Sequence, residues 1–213
     1  MKHPVIFWDV DTQHDFMGAD GRLYVPGAEE IRPSLARLTA YAHERDFHIV
    51  ASADDHVPGH RELSDQPDFT ETFPEHCMRG TRGAEKIPET TLYAPLIIEP
   101  DPIPHEELAR RLWSHGGDVL LRKHWFDVFT NRNAETVLDA WDPTEIVVYG
   151  VALDVCNRYA IDGFIARGVP RIHLVLDAAK AIHLEAVEPL LARWREAEVN
   201  VVTTADVLGG RIV

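Results

Sequence analysis

Cysteine is scarce in this sequence, with only two among 213 residues. Two cysteines in a chain of this length do not form the disulfide framework that supports small secreted proteins. Long hydrophobic runs are also missing, because no apolar stretch approaches the ~20 residues that a membrane-spanning helix needs. Residues 1–11 reach an aspartate before the apolar core of a signal peptide can form. We therefore expect a mature cytoplasmic protein without a membrane partner.

Basic residues are the second deficit. The chain has 21 Lys and Arg against 35 Asp and Glu, for a net charge of -14. Nucleic acids and anionic membranes are bound by clustered Lys and Arg. We therefore expect no nucleic-acid partner and interpret the acidic residues as a solvated surface. A homo-oligomer is left open.

The hydrophobic pattern alternates between short β-branched runs and longer helical patterns. This alternation predicts a three-layer α/β/α fold around a mainly parallel, six-stranded sheet. The predicted strands are residues 5–11, 48–54, 118–124, 145–151, 172–178 and 199–205. The predicted helices are residues 29–45, 105–116, 133–141, 154–168 and 184–198. No repeat or linker divides the chain, so we expect one domain over residues 1–213.

Residues 55–104 interrupt this alternation. They are rich in proline, glycine, histidine and acidic residues and show little periodicity. A loop of this length in a compact domain usually carries function.

Four reactive side chains come at the ends of predicted strands. Asp11, Asp54 and Lys123 end the first three strands, and Cys156 follows the fourth. In an open α/β sheet, ligands bind beyond the carboxyl ends of the strands. Taken singly, each has a structural explanation. The aspartates could cap a helix or a turn, the lysine could extend into solvent, and the cysteine could be a small buried hydrophobic residue. Their joint placement favours a reactive site.

Asp11, Lys123 and Cys156 make a complete set for acyl transfer. Cys156 is placed in the first turn of a helix, where the dipole favours a thiolate, and a nearby Lys123 would lower the thiol pKa further. Asp11 is suited to take the thiol proton and return it. The backbone N–H groups of Ala152 and Cys156 are candidates for an oxyanion hole.

A second cluster begins at the end of the second strand. Asp54, His56, His60 and His76 offer one carboxylate and three imidazoles, which suit a divalent transition ion such as Zn, Mn or Fe(II). The alternative is a set of scattered surface histidines, since the chain has 12. We expect Asp55 to point away from His56.

These segments resemble the isochorismatase-like cysteine hydrolases, and within them most of all the nicotinamidases. The resemblance rests on "DVDTQHDF" (9–16), "RKHWFDVF" (122–129), "GVALDVC" (150–156), "DDHVPGH" (54–60) and "FPEHCMRGTRGAEKIP" (73–88).

The resemblance gives each of these residues a role. It implies that Asp11 is the acid/base, Cys156 the nucleophile and Lys123 their partner, and that the Val151–Ala152 peptide bond is cis. It also implies a metal loop at about 54–90, with one divalent ion held by Asp54, His56, His60 and His76. The residues that it implies at the substrate ring are Phe16, Phe73 and Val151.

The expected function is that of a metal-containing cysteine amidohydrolase. Its expected reaction converts nicotinamide and water to nicotinate and ammonia through a cysteine thioester. One alternative is an amidase for another small planar or ureido amide, because Phe73 stands where many nicotinamidases have tryptophan. The other is a non-catalytic interaction module, although such modules usually lose the cysteine. The second cysteine, Cys77, is expected to be packed.

Overall fold

The apolar runs form a parallel sheet. Within residues 4–210, which the computed structural model describes, the sheet has seven strands. In chain order these are β1 (Val5–Val10), β2 (His48–Asp54), β3 (Leu96–Ile98), β4 (Val119–Lys123), β5 (Glu145–Val151), β6 (Arg171–Lys180) and β7 (Asn200–Val202). Their spatial order is β3-β4-β2-β1-β5-β6-β7, and every neighbouring pair is parallel.

The six predicted strands are all present, but the predicted strand number was one too low. The additional strand, β3, lies inside the segment predicted to be a loop and pairs with β4 at the edge of the sheet. Three residues are too few to show a strand period. The tertiary pairing, for example Leu96↔Val119, therefore creates a strand that the sequence pattern does not reveal.

The central strands are buried on both faces. Along β1, Ile6 and Trp8 pack into one hydrophobic cluster, whereas Phe7 between them packs into another. This is the two-residue alternation of a strand. All three side chains are fully buried, so apolar residues are needed at consecutive positions.

Helices cover the two faces and complete the predicted three layers. On the face of Phe7 lie α1 (His14–Met17), α2 (Ala28–Glu44) and α7 (Thr204–Leu208). On the face of Trp8 lie α3 (His105–Ser114), α4 (Asn133–Trp141), α5 (Cys156–Ala166) and α6 (Val187–Glu196). None of the helices within residues 4–210 is both long and apolar enough to cross a membrane.

The strand order brings the reactive side chains to one place. β4, β2, β1 and β5 are consecutive neighbours in the sheet. Lys123, Asp54, Asp11 and Cys156 lie at or just beyond their carboxyl ends. The long segment after β2 folds back over this edge and is held by isolated bridges, among them Gln13↔Lys86 and Leu63↔Phe73.

Candidate active site

The three predicted catalytic side chains lie together at the carboxyl edge of the sheet. Lys123 Nζ is 2.9 Å from Asp11 Oδ2 and 3.8 Å from Cys156 Sγ. The Ser52 hydroxyl donates a hydrogen bond of 2.6 Å to Asp11 Oδ1 and so holds the other carboxylate oxygen. Lys123 and Asp11 are fully buried, and Cys156 is 8% exposed. A carboxylate, an ammonium and a thiol are thus in contact with one another.

Lys123 carries the positive charge of this cluster. Its Nζ atom also contacts Asp54 Oδ1, at 2.5 Å. Burial lowers the pKa of Lys123, but Asp11 and Asp54 outweigh it and raise this pKa well above its usual value. Burial raises the pKa of Asp11, and Lys123 offsets only part of that rise. Asp11 therefore accepts a proton more readily than an exposed aspartate does.

The thiol of Cys156 is harder to ionise than the sequence predicted. Burial raises its pKa well above the ordinary thiol value, Lys123 lowers it only in part, and Asp11 and Asp54 raise it again. The prediction of a thiol acidified at rest was wrong, because burial outweighs an ammonium that two carboxylates already share. Cys156 does begin α5, as predicted, and Asp11 is the carboxylate positioned to take its proton.

The backbone before Cys156 turns sharply. The Val151–Ala152 peptide bond is cis, which confirms that prediction. Gly150 has a φ of 113°, and a Cβ added there would lie 2.1 Å from the Val10 carbonyl oxygen, so the position requires glycine. Within residues 4–210, the N–H groups of Ala152 and Cys156 donate to no backbone carbonyl. Both are therefore available to a substrate oxyanion.

Four side chains with metal-ligating atoms converge beside the thiol. Among the described residues, the ligand atoms of Asp54, His56, Glu62 and His76 all lie within 4.8 Å of one another, and all four residues are buried. We call these four residues the metal group. Three of them were predicted from the sequence. Asp55 lies outside the group, as expected, and its carboxylate pairs with Arg79.

Glu62 occupies the place in this group that the sequence prediction gave to His60. The chain turns here, and the His60 N–H donates to the Val57 carbonyl at 3.2 Å. Two residues later, the Glu62 carbonyl accepts the Phe73 N–H at 2.8 Å, which ties Glu62 to the segment that leads to His76. Because of this turn, the metal group contains the carboxylate of Glu62 where the sequence predicted the imidazole of His60. No sequence signal separates Glu62 from the other acidic residues of a chain that has 35 of them.

The metal group fits a divalent ion. His56 Nε2, Glu62 Oε2 and His76 Nε2 are buried and have no hydrogen-bond partner among the described residues. Glu62 Oε2 is 3.9 Å from His56 Nε2, and Glu62 Oε1 is 3.4 Å from His76 Nε2. Each unpaired buried polar atom costs about 1–3 kcal/mol. Two imidazoles and two carboxylates are donors that Zn, Mn and Fe(II) bind, so these residues agree with the ion that the resemblance implied.

The electrostatics of the metal group favour positive charge. Burial raises the pKa of Asp54, but Lys123 and the two histidines outweigh it and hold this pKa well below the usual range. Burial lowers the pKa of His56 to about 4. Burial also lowers the pKa of His76, but the carboxylates of Asp54 and Glu62 reverse the effect and raise it to about 10. The two carboxylates thus stabilise a cation at this place.

A narrow cavity connects the thiol with the metal group. Its lining contains the three residues implied at the substrate ring, which are Phe16, Phe73 and Val151. It also contains Cys156 and two carboxylates of the metal group, those of Asp54 and Glu62. The sequence reasoning missed further apolar residues of the lining, namely Leu23, Val25, Phe126, Val155 and Ile182. The cavity volume is about 20 Å³, on the scale of one water molecule. A ring can therefore enter only if lining side chains move.

Asp15 anchors the segment that carries His76. Its Oδ2 accepts the Cys77 N–H at 2.7 Å, and its Oδ1 accepts the Arg22 N–H at 3.1 Å. A Cβ added to Gly83 would lie 2.1 Å from Asp15 Oδ2, so a glycine is required for this close approach. Cys77 is fully buried, as predicted for a packed cysteine, and burial raises the pKa of its thiol.

Asp15→Asn is expected to lower the free energy of unfolding by about 1–3 kcal/mol, because an amide can accept only one of these two N–H bonds with its single oxygen. Denaturant unfolding measures the change. Asp65→Asn is the matched control, since Asp65 is exposed and should change stability by less than about 0.5 kcal/mol. Equal stability of the two variants would refute the anchoring role.

Comparison with known proteins yields a family match. The family model of the isochorismatase domain matches residues 97–206, which is more than half of the chain. The nicotinamidase/pyrazinamidase of Mycobacterium tuberculosis is 34% identical over 79 residues, and the match covers 37% of this chain and 41% of that protein. A probable inactive nicotinamidase of Arabidopsis thaliana is 23% identical over 174 residues, which cover 81% of this chain and 78% of that protein.

Solved structures share the fold. The pyrazinamidase of Pyrococcus horikoshii in complex with zinc superposes with a TM-score of 0.72 at 22% identity, covering 94% of this chain and 99% of that one. The N-carbamoylsarcosine amidase of Thermoplasma acidophilum superposes with a TM-score of 0.70 at 23% identity, covering 96% and 97%. At these identities the likeness concerns the fold alone.

Proposed function

Since this chain belongs to the isochorismatase family, we propose that it is a metal-containing cysteine amidohydrolase that converts nicotinamide and water to nicotinate and ammonia. The observation that carries this proposal is the shared cavity. Cys156, a candidate nucleophile, and two carboxylates of the metal group line the same narrow space between aromatic side chains. Once lining side chains move to admit it, a small planar amide can lie in this slot with its carboxamide facing the thiol and its ring facing the metal group.

Acylation begins at Cys156. Asp11 takes the thiol proton as Sγ attacks the carboxamide carbon, and the N–H groups of Ala152 and Cys156 bind the negative oxygen that forms. Asp11 then gives the proton to the leaving nitrogen, the C–N bond breaks, and ammonia departs from a thioester. The raised pKa of Asp11 supports both directions of this transfer.

Hydrolysis reverses the roles. Asp11 takes a proton from a water molecule, and the oxygen of that water attacks the thioester carbon. The C–S bond breaks, the proton returns to Sγ, and nicotinate leaves. Lys123 stays protonated throughout because two carboxylates raise its pKa, and its charge keeps Asp11 available as a base.

The four residues of the metal group would hold one divalent ion. Such an ion is a Lewis acid that binds a pyridine nitrogen, or a water molecule in its place, and so orients the ring. Zn, Mn and Fe(II) all accept this set of donors. The carboxylate of Glu62, which adds a second oxygen donor, favours Mn and Fe(II) more than a set with three imidazoles would.

Two other functions compete with this one. An amidase for another small planar or ureido amide is favoured by Phe73 in the cavity lining and by the fold shared with an N-carbamoylsarcosine amidase. A non-catalytic module is favoured by the likeness to a probable inactive nicotinamidase. The contact of Asp11, Lys123 and Cys156 speaks against the second, because a module without chemistry needs no such set.

The remaining expectations accompany this proposal. We infer that the chain forms one domain, acts in the cytoplasm on a small-molecule amide and binds neither nucleic acid nor membranes. The net charge of -14 supports the last point.

Ammonia release from a panel of amides tests the proposed function. Nicotinamide and pyrazinamide are expected to release ammonia, and N-carbamoyl amino acids are not. Treatment with a chelator should remove most of the activity on nicotinamide, and Zn, Mn or Fe(II) should restore it. If only N-carbamoyl amino acids released ammonia, the protein would be a ureido amidase and not a nicotinamidase. Absence of turnover on every amide, with metal bound, would favour the non-catalytic module.

A further inference from the structure

His60 lies beside the metal group without belonging to it. Its Nδ1 atom is 3.2 Å from Nδ1 of His56 and 3.4 Å from the backbone nitrogen of Val57. Its ring packs against the ring of His124, with 4.2 Å between centroids. Nδ1 of His60 is therefore engaged by His56 and the backbone, and His60 contributes no atom to the metal group.

The direction of these hydrogen bonds follows from the backbone. A peptide N–H can only donate, so His60 Nδ1 accepts from Val57 and carries no proton. The contact between the two imidazoles then requires a proton on His56 Nδ1. A neutral imidazole protonated at Nδ1 has its lone pair at Nε2. In His56, Nε2 is the buried atom without a partner that faces the metal group.

His76 is arranged in the same way with a different acceptor. Its Nδ1 lies 2.8 Å from the Pro74 carbonyl oxygen, which can only accept, so this nitrogen also carries the proton. Its Nε2 is likewise buried and unpaired within the metal group. Both histidines of the group therefore donate outward from Nδ1, which leaves Nε2 as the ring nitrogen that faces the metal group and would bind a metal there.

We propose that His60 is a positioning residue that fixes the tautomer and the ring orientation of His56, and that it does not bind the metal itself. The inference rests on the proposed metal site. An acceptor on the outer nitrogen of a ligating histidine raises the basicity of the inner nitrogen and holds the ring in place, and its loss typically weakens metal binding by 10–100-fold. His124, whose ring packs against that of His60, restrains the His60 ring.

The affinity for zinc tests the role of His60. Metal-free wild type, His60→Asn, His60→Leu and His76→Ala are titrated with zinc against a chromophoric chelator. His60→Leu removes the acceptor and is expected to weaken zinc binding by about 10–100-fold. His60→Asn retains an acceptor oxygen near the position of Nδ1 and should stay within a few-fold of wild type. His76→Ala should lose tight binding.

A count of the ligands distinguishes positioning from direct binding. X-ray absorption at the zinc edge should find two imidazoles in wild type and the same two in His60→Asn. Three imidazoles in wild type, unchanged affinity in His60→Leu, or equal weakening in His60→Leu and His60→Asn would each overturn the inference while leaving the metal site intact. Wild-type protein that binds no zinc, Mn or Fe(II) would overturn the proposed metal site and the inference with it.

Discussion

Cys156→Ala is expected to abolish amide hydrolysis and to leave the fold intact. Loss of a nucleophile that acts together with a base lowers kcat by about 10⁶-fold in a serine protease. The thiol is buried and its pKa is raised well above the ordinary value, chiefly by burial. The side chain is therefore neutral at rest, and its removal takes away one sulfur atom but no charge. The cost in stability should be about 1 kcal/mol.

The matched control for this variant is Cys77→Ala. Cys77 is fully buried in the hydrophobic core, and its Sγ lies 3.7 Å from the Gly83 carbonyl oxygen. The two variants remove the same atom, but only Cys156→Ala should stop ammonia release. Iodoacetamide should label Cys156 faster than Cys77 in wild type, and nicotinamide should slow that labelling. Activity near wild type in Cys156→Ala would exclude the thioester mechanism.

Most of the sheet could be predicted because its strands have a recognisable local sequence pattern. β-branched runs at 5–11, 48–54 and 145–151 are long enough to show their character, and each became a central strand. The edge strand β3 could not be predicted, because Leu96–Ile98 is three residues long and owes its conformation to pairing with β4. Length and tertiary pairing therefore separate the predicted strands from the one that was missed.

Site residues at the ends of strands could also be predicted from the sequence, whereas a site residue in the long loop could not. Asp11, Asp54 and Lys123 lie at the ends of strands, and parallel pairing brings strand ends together whatever the loops do. Glu62 lies in a long loop, where a turn at His60 decides which side chain reaches the metal group. Spacing of histidines along the sequence contains no information about that turn.

The pKa of Cys156 illustrates a further limit. The sequence indicates which charges are near the thiol, and the proximity of Lys123 was predicted correctly. It does not indicate how deeply the thiol is buried or how many carboxylates share the ammonium. Both quantities depend on packing, and together they reverse the direction of the pKa shift.

Lys123→Met is the second change with a large expected effect, on activity and on stability. The variant leaves Asp11 and Asp54 buried without the ammonium that lies 2.9 and 2.5 Å from them. Removal of one partner from a buried ion pair costs about 3–5 kcal/mol. Turnover should fall by orders of magnitude, because Asp11 then holds its proton at neutral pH and no longer acts as a base. Lys123→Met and Cys156→Ala should be strongly non-additive if they disable one unit.

The effect of Lys123→Met on stability should depend on pH in a defined direction. Burial already raises the pKa of Asp11 in the folded protein, and loss of Lys123 raises it further. A carboxyl group whose pKa is higher in the folded than in the unfolded state favours folding when protonated, and this contribution is lost as the pH rises through the folded pKa. The difference in unfolding free energy between wild type and Lys123→Met should therefore grow from acidic to neutral pH.

Urea unfolding at a series of pH values measures this difference, with Lys180→Met as the matched control. Lys180 pairs with Glu30 at 2.7 Å on the surface, where one ion pair contributes about 0–1 kcal/mol. The control should keep its activity and show a small stability change that varies little with pH. If Lys123→Met behaved like Lys180→Met, the buried ammonium would contribute nothing to the carboxylates around it. The charge of Lys123 would then have no part in holding Asp11 ready as a base.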